Sequence, residues 1–327
     1  LMHEFVLNGA QIGNLTAFYF YAYLLMQLPV GVLLDQYRLR VLLPVATAVC
    51  ALGALLFGSS THVWLSCVAR LCIGFGGAFS AVGTMKLISQ LFPAKRFALV
   101  SGLMMTVGML GAAGGEIPLV WMVQNLGWRQ AMMMCSMIGM VLACLMGLLL
   151  PGAEQLTCES DSALRWRSLL TQLYDIVTHS QSWWIALYSG LAFAPVSAFA
   201  GLWGVPFIGA KWSLSPSLSS RIVTLIFIGF ALGAPFAGWL SDRIRKRKGV
   251  MCVGTSISAL CLCVILYGQV DGLRALCLWL FLFGFFSAFF FVSFASIREI
   301  HLLSLGGTAI GFINLFTALG GAVTEPL

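Results

Sequence analysis

Long apolar stretches alternate with short charged turns along nearly the whole of this 327-residue chain. A helix needs about 20 mostly apolar residues to cross the hydrocarbon core of a bilayer. Ten stretches come close to that length, and nearly all of their residues are uncharged. The predicted membrane segments are 10–34, 41–59, 64–90, 97–122, 130–150, 183–208, 221–240, 250–268, 274–297 and 306–326. The pattern predicts an all-α, polytopic membrane protein.

A polar interval separates the first five segments from the last five. Residues 151–181 carry several acidic and basic side chains, whereas the turns within each half are short. We expect an N-terminal helical bundle over 1–150, a linker over 151–181 and a C-terminal helical bundle over 182–327. The chain begins as if in the tail of a connection and stops at the end of a segment. We therefore expect one further helix beyond each end.

Composition supports a membrane location and excludes several functions. Hydrophobic residues make up 60% of the chain and charged residues only 9%, with a mean hydropathy of +0.96. Ordinary soluble domains contain about 25% charged residues. The net charge of +7 is spread over short turns and forms no continuous basic face, so we expect membrane lipid and no nucleic acid as partners. All cysteines except Cys158 lie in apolar segments, where cysteine packs as a small hydrophobe.

The basic residues orient the chain. Short cytoplasmic loops of membrane proteins carry an excess of Lys and Arg. Only Arg129, Lys211, Arg221 and Arg274 fall on the side opposite to the turn that contains Asp35, while three times as many fall on the same side. The Asp35 side is therefore predicted to be cytoplasmic. We expect a multi-pass protein of a bacterial inner (plasma) membrane.

One charged loop occurs twice. The first aspartate loop (residues 29–40) is PVGVLLDQYRLR, and the second aspartate loop (residues 235–248) is PFAGWLSDRIRKRK. Gly31 and Gly238 are 207 positions apart, as are Asp35 and Asp242. A shared offset indicates an internal duplication, and parallel repeats of helical bundles are an architecture of transporters.

These loops resemble the signature loop of the major facilitator superfamily (MFS). The run Arg70-x-x-x-Gly74-x-Gly76-x-Ala78 is similar to the fourth-helix motif of that family, and Gly127-Trp128-Arg129 is similar to its turn before the sixth helix. The resemblance implies the MFS fold, with this chain supplying helices two to eleven of twelve. In both loops single positions depart from the family pattern, including Arg245, where glycine is usual.

The resemblance also implies a cytoplasmic gate, in which each aspartate faces the positive N-terminus of a helix from the other half. Asp35 would face the helix start at 306–308, and Asp242 the start near Phe97. The predicted gate residues are Gly31, Asp35, Arg40, Gly238, Asp242 and Arg243. The second loop carries five basic residues and the first only two, so we expect the Asp242 contact to be the firmer one.

Three charges lie inside apolar segments, where a charge costs about 2.5–3.5 kcal/mol on insertion scales. Arg70 and Glu116 are predicted at similar depth, roughly 9 Å below the outer surface. They form either a permanent ion pair or a proton-sensitive one, and the family motif around Arg70 is associated with proton coupling. For Lys86 the sequence favours a long stem that reaches the cytoplasmic interface over a role in binding an anionic substrate.

Further candidates for solute contact or coupling are polar or aromatic residues inside the segments. Tyr19, Tyr23 and Gln27 follow one helical face, a pattern that packing between helices also explains. Trp203 lies between Pro195 and Pro206, which are expected to interrupt the backbone. Asn314 is a polar group in the last segment, with an interhelical hydrogen bond as its alternative role.

No enzymatic site is predicted. The four histidines fall in predicted loops, and the chain contains no Cys-x-x-Cys motif and no ATP-binding Gly-x-x-x-x-Gly-Lys loop. We therefore expect no catalytic residues, no metal and no cofactor. The predicted function is secondary transport of a small polar or anionic solute, coupled to H⁺, by alternating access of a monomer. The sequence leaves two alternatives, which are proton-driven efflux of amphipathic compounds and a membrane receptor of transporter fold.

Overall fold

The computed structural model describes residues 9–150, 174–270, 272–301 and 305–324, and each of the ten predicted segments is helical there. The helix bounds agree with the predicted ones to within a few residues at most ends. The helices are α1 Gly9–Gln36, α2 Leu39–Ser59, α3 Val63–Leu91, α4 Phe97–Leu126, α5 Trp128–Leu149, α6 Ser180–Ala198, α7 Gly204–Trp212, α8 Pro216–Ile244, α9 Arg247–Tyr267, α10 Leu273–Ser287, α11 Val292–Ile300 and α12 Gly306–Thr324.

Eight helical stretches among the described residues are long and apolar enough to cross a membrane. Of the ten predicted segments, the two outside this set correspond to α4, with the shorter apolar stretch Phe97–Gly111, and to α12. Hydrogen bonding within each helix satisfies the backbone, as a lipid environment requires. The prediction of an all-α, polytopic membrane protein is confirmed.

Both aspartate loops are tight connections between helices. Tyr37 and Arg38 join α1 to α2, and Arg245 and Lys246 join α8 to α9. Each aspartate therefore lies in the last turn of its helix, directly before the chain reverses. This position brings the carboxylate close to the ends of neighbouring helices.

Two of the membrane segments are not uniform α-helices. The segment from 180 to 212 contains a π-helical turn at Phe199–Trp203, in which the N–H of Gly204 donates to the carbonyl of Phe199. The sequence predicted an interruption here from Pro195 and Pro206. A second interruption, the 3-10 turn Ala288–Phe291, was not predicted, and the three phenylalanines in it are almost completely buried.

The described residues group into two compact units. The first unit takes its residues from Leu1–Leu87, Ala113–Asp175 and Ser304–Phe312, and the second from Ile88–Ala112, Ile176–Leu303 and Ile313–Leu327. The start of α4 thus belongs to the second unit, and the start of α12 belongs to the first. Most of the predicted linker, residues 151–173, lies outside the described residues.

Candidate functional site

The carboxylate of Asp35 is completely buried in the first unit, at the end of α1. It accepts hydrogen bonds from the backbone N–H groups of Gly307 and Thr308, both at 2.7 Å, and from the Thr308 hydroxyl at 2.8 Å. The first N–H groups of a helix have no acceptor within the helix, and the helix dipole is positive there. Asp35 therefore caps α12, the helix predicted as its partner.

Lys86 is the fourth donor to Asp35. Its Nζ lies 2.5 Å from Asp35 Oδ1, and only 6% of its side chain is exposed. The expectation that its stem extends to the interface is therefore wrong, because the ammonium ends in a buried ion pair. Moving two charges out of water costs several kcal/mol per ion, which the pair recovers only with good geometry and further hydrogen bonds. The donors from α12 provide these bonds.

Glycine makes the approach of α1 to α12 possible. A Cβ atom on Gly31 would lie 2.6 Å from the carbonyl oxygen of Gly307 and 2.8 Å from the Cα of Thr308. Both obstacles are backbone atoms, which no side-chain rotation can remove. A Cβ atom on Gly307 would in turn lie 2.7 Å from Asp35 Oδ1. Small residues at such a crossing let two membrane helices come into backbone contact.

The second aspartate loop repeats this arrangement within the second unit. Asp242 Oδ2 accepts a hydrogen bond of 3.1 Å from the backbone N–H of Leu99, near the start of α4. A Cβ atom on Gly238 would collide with the carbonyl oxygen of Ala98 and would lie 2.7 Å from the nitrogen of Leu99. The sequence placed the partner of Asp242 at this helix start.

Arg247 connects three helices around Asp242. Its guanidinium donates to Asp242 Oδ1 at 2.6 Å, to Ser241 Oγ at 2.9 Å and to Glu299 Oε1 at 2.7 Å. These contacts join the end of α8 and the start of α9 to the end of α11. Sequence reasoning counted Arg247 only among the basic residues of the loop and overlooked Glu299. The adjacent Arg298-Glu299 pair at the end of a membrane segment was the available signal.

The two aspartates differ in how many donors reach them. Within the described part of the chain, Asp35 accepts from two N–H groups, one hydroxyl and one ammonium, whereas Asp242 accepts from one N–H group and one guanidinium. The larger number of basic residues in the second loop predicted the opposite order. Of those five residues, Arg247 is the one with a hydrogen bond to the carboxylate in the described part of the chain.

Two predicted gate residues lie elsewhere. Arg40 does not contact Asp35; it donates to the carbonyl of Gly147 at 3.3 Å, near the end of α5. That position suits a cation, because helix C-termini carry partial negative charge. Arg243 is exposed and lies over the ring of Trp239, with 5.3 Å between Cζ and the ring centroid. The resemblance assigned both residues by loop position, which does not determine the direction of a side chain.

Arg70 is partly buried within the first unit. Its Cζ is 4.8 Å from the ring centroid of Phe57, and its Nε is buried without a hydrogen-bond acceptor among the described residues. The predicted partner, Glu116, lies in α4, but its side chain is outside the described part of the structure. The pairing of Arg70 with Glu116 therefore stays a prediction.

The polar stripe of α1 packs beside the helix that carries Arg70. The rings of Tyr19 and Tyr23 stack with 5.9 Å between their centroids. Gly74, one turn after Arg70, permits close approach of the Tyr19 carbonyl, since a Cβ there would collide with it. Gln27 is fully buried, and its backbone carbonyl makes a similar close approach to Gly311 of α12. Tyr19 therefore lies beside the Arg70 turn of α3, and Gln27 lies against α12.

Trp203 and Asn314 belong to the second unit, whereas Arg70 belongs to the first. Trp203 ends the π-helical turn and is 50% exposed. Asn314 is half-buried in α12.

The sequence did not predict that Arg298 packs between helices. It is 7% exposed, its Nη2 donates to the carbonyl of Ser89 at 3.0 Å, and its Cζ lies 4.4 Å from the ring centroid of Phe97. It thereby holds the end of α3 and the start of α4 in the second unit.

The described residues contain no group of three His, Cys, Asp or Glu side chains that could bind a metal ion.

Known proteins share both the sequence pattern and the fold. The model of the Major Facilitator Superfamily matches residues 1–204 and again 185–327. The lysosomal dipeptide transporter MFSD1 of Danio rerio is 23% identical over 76% of this chain, which spans only 57% of that protein. The membrane sensor protein UhpC of Escherichia coli K12 is 22% identical over 97% of this chain and 76% of its own length.

The fold also matches a solved structure. The E. coli fucose:proton symporter FucP superposes with a TM-score of 0.79 at 17% identity, covering 97% of this chain and 83% of FucP. At that identity the likeness concerns the fold alone. Because the family model covers the whole length and eight described helical stretches are long and apolar enough to cross a membrane, this chain is a multi-pass membrane protein that belongs to the Major Facilitator Superfamily of transporters, and it is not an enzyme.

Proposed function

We propose that the protein is a secondary transporter that moves a small polar or anionic solute, coupled to H⁺, by alternating access. The observation that carries this proposal is the pair of glycine-aspartate contacts. Asp35 caps α12 and Asp242 caps α4, so each contact joins a helix of one predicted half to a helix of the other. Such contacts can close the cytoplasmic side in one state and open in another. The predicted location is a bacterial inner membrane.

Arg70 supports the preference for an anionic solute. A guanidinium in a membrane segment normally faces a partner or a water-filled cavity. The buried Nε of Arg70 has no acceptor among the described residues, so a carboxylate or phosphate of the solute could supply one. Tyr19 and Tyr23, which pack beside the same helix, would line this site. We assign Glu116 the role of proton carrier, because it is the acid predicted at the depth of Arg70.

Transport is tested with the full-length protein in sealed proteoliposomes under an imposed pH gradient. A thermal-shift screen of sugars, organic acids, dipeptides and phosphate esters first identifies a stabilising solute. Uptake of that solute should depend on the gradient, and Glu116→Gln should abolish this dependence while leaving binding intact. Arg70→Gln should weaken binding of an anionic solute by roughly tenfold or more, with Arg70→Lys as the control that keeps the charge. Unchanged gradient dependence in Glu116→Gln would remove the proton role from this residue.

A receptor is the second candidate, because the sensor UhpC matches nearly the whole chain. A receptor of transporter fold would bind solute at the same site, beside Arg70, Tyr19 and Tyr23, without moving it across the membrane. Clear solute binding with no flux in either direction across the proteoliposome membrane would favour the receptor. Flux of amphipathic compounds alone, with no flux of polar solutes, would favour the efflux alternative.

A further inference from the structure

A small charged cavity lies beside Asp242 in the second unit, at the junction of α8 and α9. It measures about 200 Å³ and is lined by Lys95, Asp242, Arg245, Arg247 and Glu299. Arg247 is engaged with both carboxylates. The two other cations, Lys95 and Arg245, are exposed and make no side-chain hydrogen bond or ion pair within the described part of the chain. The cavity therefore has an excess of one positive charge and several unused donors.

Arg245 occupies a backbone position that suits glycine. It ends α8 in the left-handed conformation, with φ 57° and ψ 24°, and its N–H donates to the Ser241 carbonyl at 3.0 Å. A residue with a Cβ atom costs roughly 1 kcal/mol or more in this conformation, and glycine does not. Among the described residues only Ser213 shares a positive φ without being glycine. Strain of this kind is often retained where a side chain has a function.

The chemistry of the Arg245 side chain favours an oxyanion as the ligand. A guanidinium binds a phosphate through two parallel N–H···O bonds, and an ammonium adds a point charge from a second direction. Lys95 comes from the connection between α3 and α4, so the two cations approach the cavity from different parts of the chain. A phosphate group offers more acceptor oxygens than a carboxylate, so it can accept from a guanidinium and an ammonium together. The cavity has about the volume of six or seven water molecules in the liquid, enough for a phosphate group.

We propose that Arg245 and Lys95 form a binding site for a phosphate group at the predicted cytoplasmic end of α8. The site does not include Arg70, Tyr19 or Tyr23, and its occupancy does not depend on solute transport. The phosphate group has two possible sources, a soluble phosphate or the headgroup of an anionic phospholipid. Basic residues next to a membrane segment attract anionic lipids by about 1 kcal/mol each.

Two arms of one experiment separate the sources. The full-length protein is placed in phosphatidylcholine nanodiscs, and binding of radiolabelled inorganic phosphate is measured by equilibrium dialysis. In the second arm, native mass spectrometry measures how much phosphatidylglycerol the protein retains from a mixture with phosphatidylcholine. The variants are Arg245→Gly and Arg245→Asn, which suit the left-handed backbone. Lys248→Gln serves as the control, since it removes one charge from an exposed residue of the same loop that does not line the cavity.

We expect Arg245→Gly to weaken binding by roughly tenfold in at least one arm, as the loss of a charge-assisted pair predicts. The same variant should melt at the wild-type temperature or above it, which excludes misfolding as the cause. A loss confined to the dialysis arm identifies soluble phosphate, and a loss confined to the lipid arm identifies a headgroup. Equal losses in Lys248→Gln would overturn the proposal, because they indicate diffuse charge rather than a site. Absence of binding by the wild type in both arms would overturn it as well.

Discussion

Lys86 and Asp35 form a buried ion pair that no sequence motif predicted. Lys86 Nζ lies 2.5 Å from Asp35 Oδ1, and the two side chains are 6% and 0% exposed. The pair lies where α12 begins, so one carboxylate serves as a helix cap and as a counter-ion at once. The first aspartate loop is therefore held by burial and local hydrogen bonds rather than by its own basic residues.

Removing Asp35 should be more damaging than removing Lys86. Asp35→Asn eliminates the charge that balances a buried ammonium, a change that typically costs about 3–5 kcal/mol. Lys86→Met should cost less, since Asp35 keeps its two N–H donors and the Thr308 hydroxyl. Thermal melting in detergent measures both.

The double variant Asp35→Asn/Lys86→Met completes a double-mutant cycle. It should melt at a higher temperature than Asp35→Asn alone, because it leaves no unpaired buried ammonium. Arg40→Gln is the control and should change stability by no more than about 0.5 kcal/mol, because Arg40 is exposed and remote from the pair. Strict additivity of the two single variants would contradict the coupling that we assign to the pair.

Alanine at the loop glycines should separate the helices that meet there. In Gly31→Ala and Gly238→Ala the new methyl group meets backbone atoms of α12 and α4, respectively. Overpacking against atoms that cannot rotate away typically costs about 1–3 kcal/mol. The measurement is the melting temperature of each purified variant.

Gly108 and Gly111 provide matched controls within α4. A Cβ atom at either position would meet no atom of the described residues within 4 Å. Alanine there should leave stability unchanged or raise it, because alanine is favoured over glycine in a helix by about 1 kcal/mol. If all four variants lost stability alike, close approach at the aspartate loops would not be the cause.

Hydrogen exchange can compare the two aspartate contacts directly. Asp35 holds two N–H groups of α12 and Asp242 holds one of α4, so the peptide over 305–312 should exchange more slowly than the peptide over 97–102. Asp35→Asn should accelerate exchange in 305–312 only, and Asp242→Asn in 97–102 only. Mass spectrometry of peptic peptides from detergent-solubilised protein reports both segments in one sample. Faster exchange of 305–312 than of 97–102 in the wild type would favour the order expected from the basic residues.

Substitution of Arg247 should lower the stability of the protein more than substitution of Arg243. Arg247→Gln removes the donor shared by Asp242 and Glu299 and leaves the mostly buried Asp242 carboxylate with one N–H partner. We expect a loss of roughly 2–4 kcal/mol in stability, as for other broken charge pairs with little solvent contact. Arg243→Gln removes the same charge from the same loop but only a contact over the Trp239 ring, so its effect should be within about 1 kcal/mol. Similar melting temperatures for the two variants would show that net loop charge, rather than the bridge, is what counts.

The sequence by itself determined the membrane class, the ten helices and the duplication. Each rests on a pattern that can be seen along the chain without knowing which helices pack together. Apolar length sets the spans, and the 207-residue offset relates Asp35 to Asp242 and Gly31 to Gly238. The helix starts that face the two aspartates were also correctly placed, through resemblance to the family.

Only the tertiary structure decided which side chains meet. Lys86 pairs with Asp35 across 51 residues, and Arg247 with Glu299 across 52, because helix packing sets those distances. A count of basic residues in a loop cannot show which of them turns inward, and so Arg40 and Arg243 were predicted beside the aspartates that Lys86 and Arg247 contact. Side-chain direction depends on the helices packed around it, and a one-dimensional pattern does not contain that information.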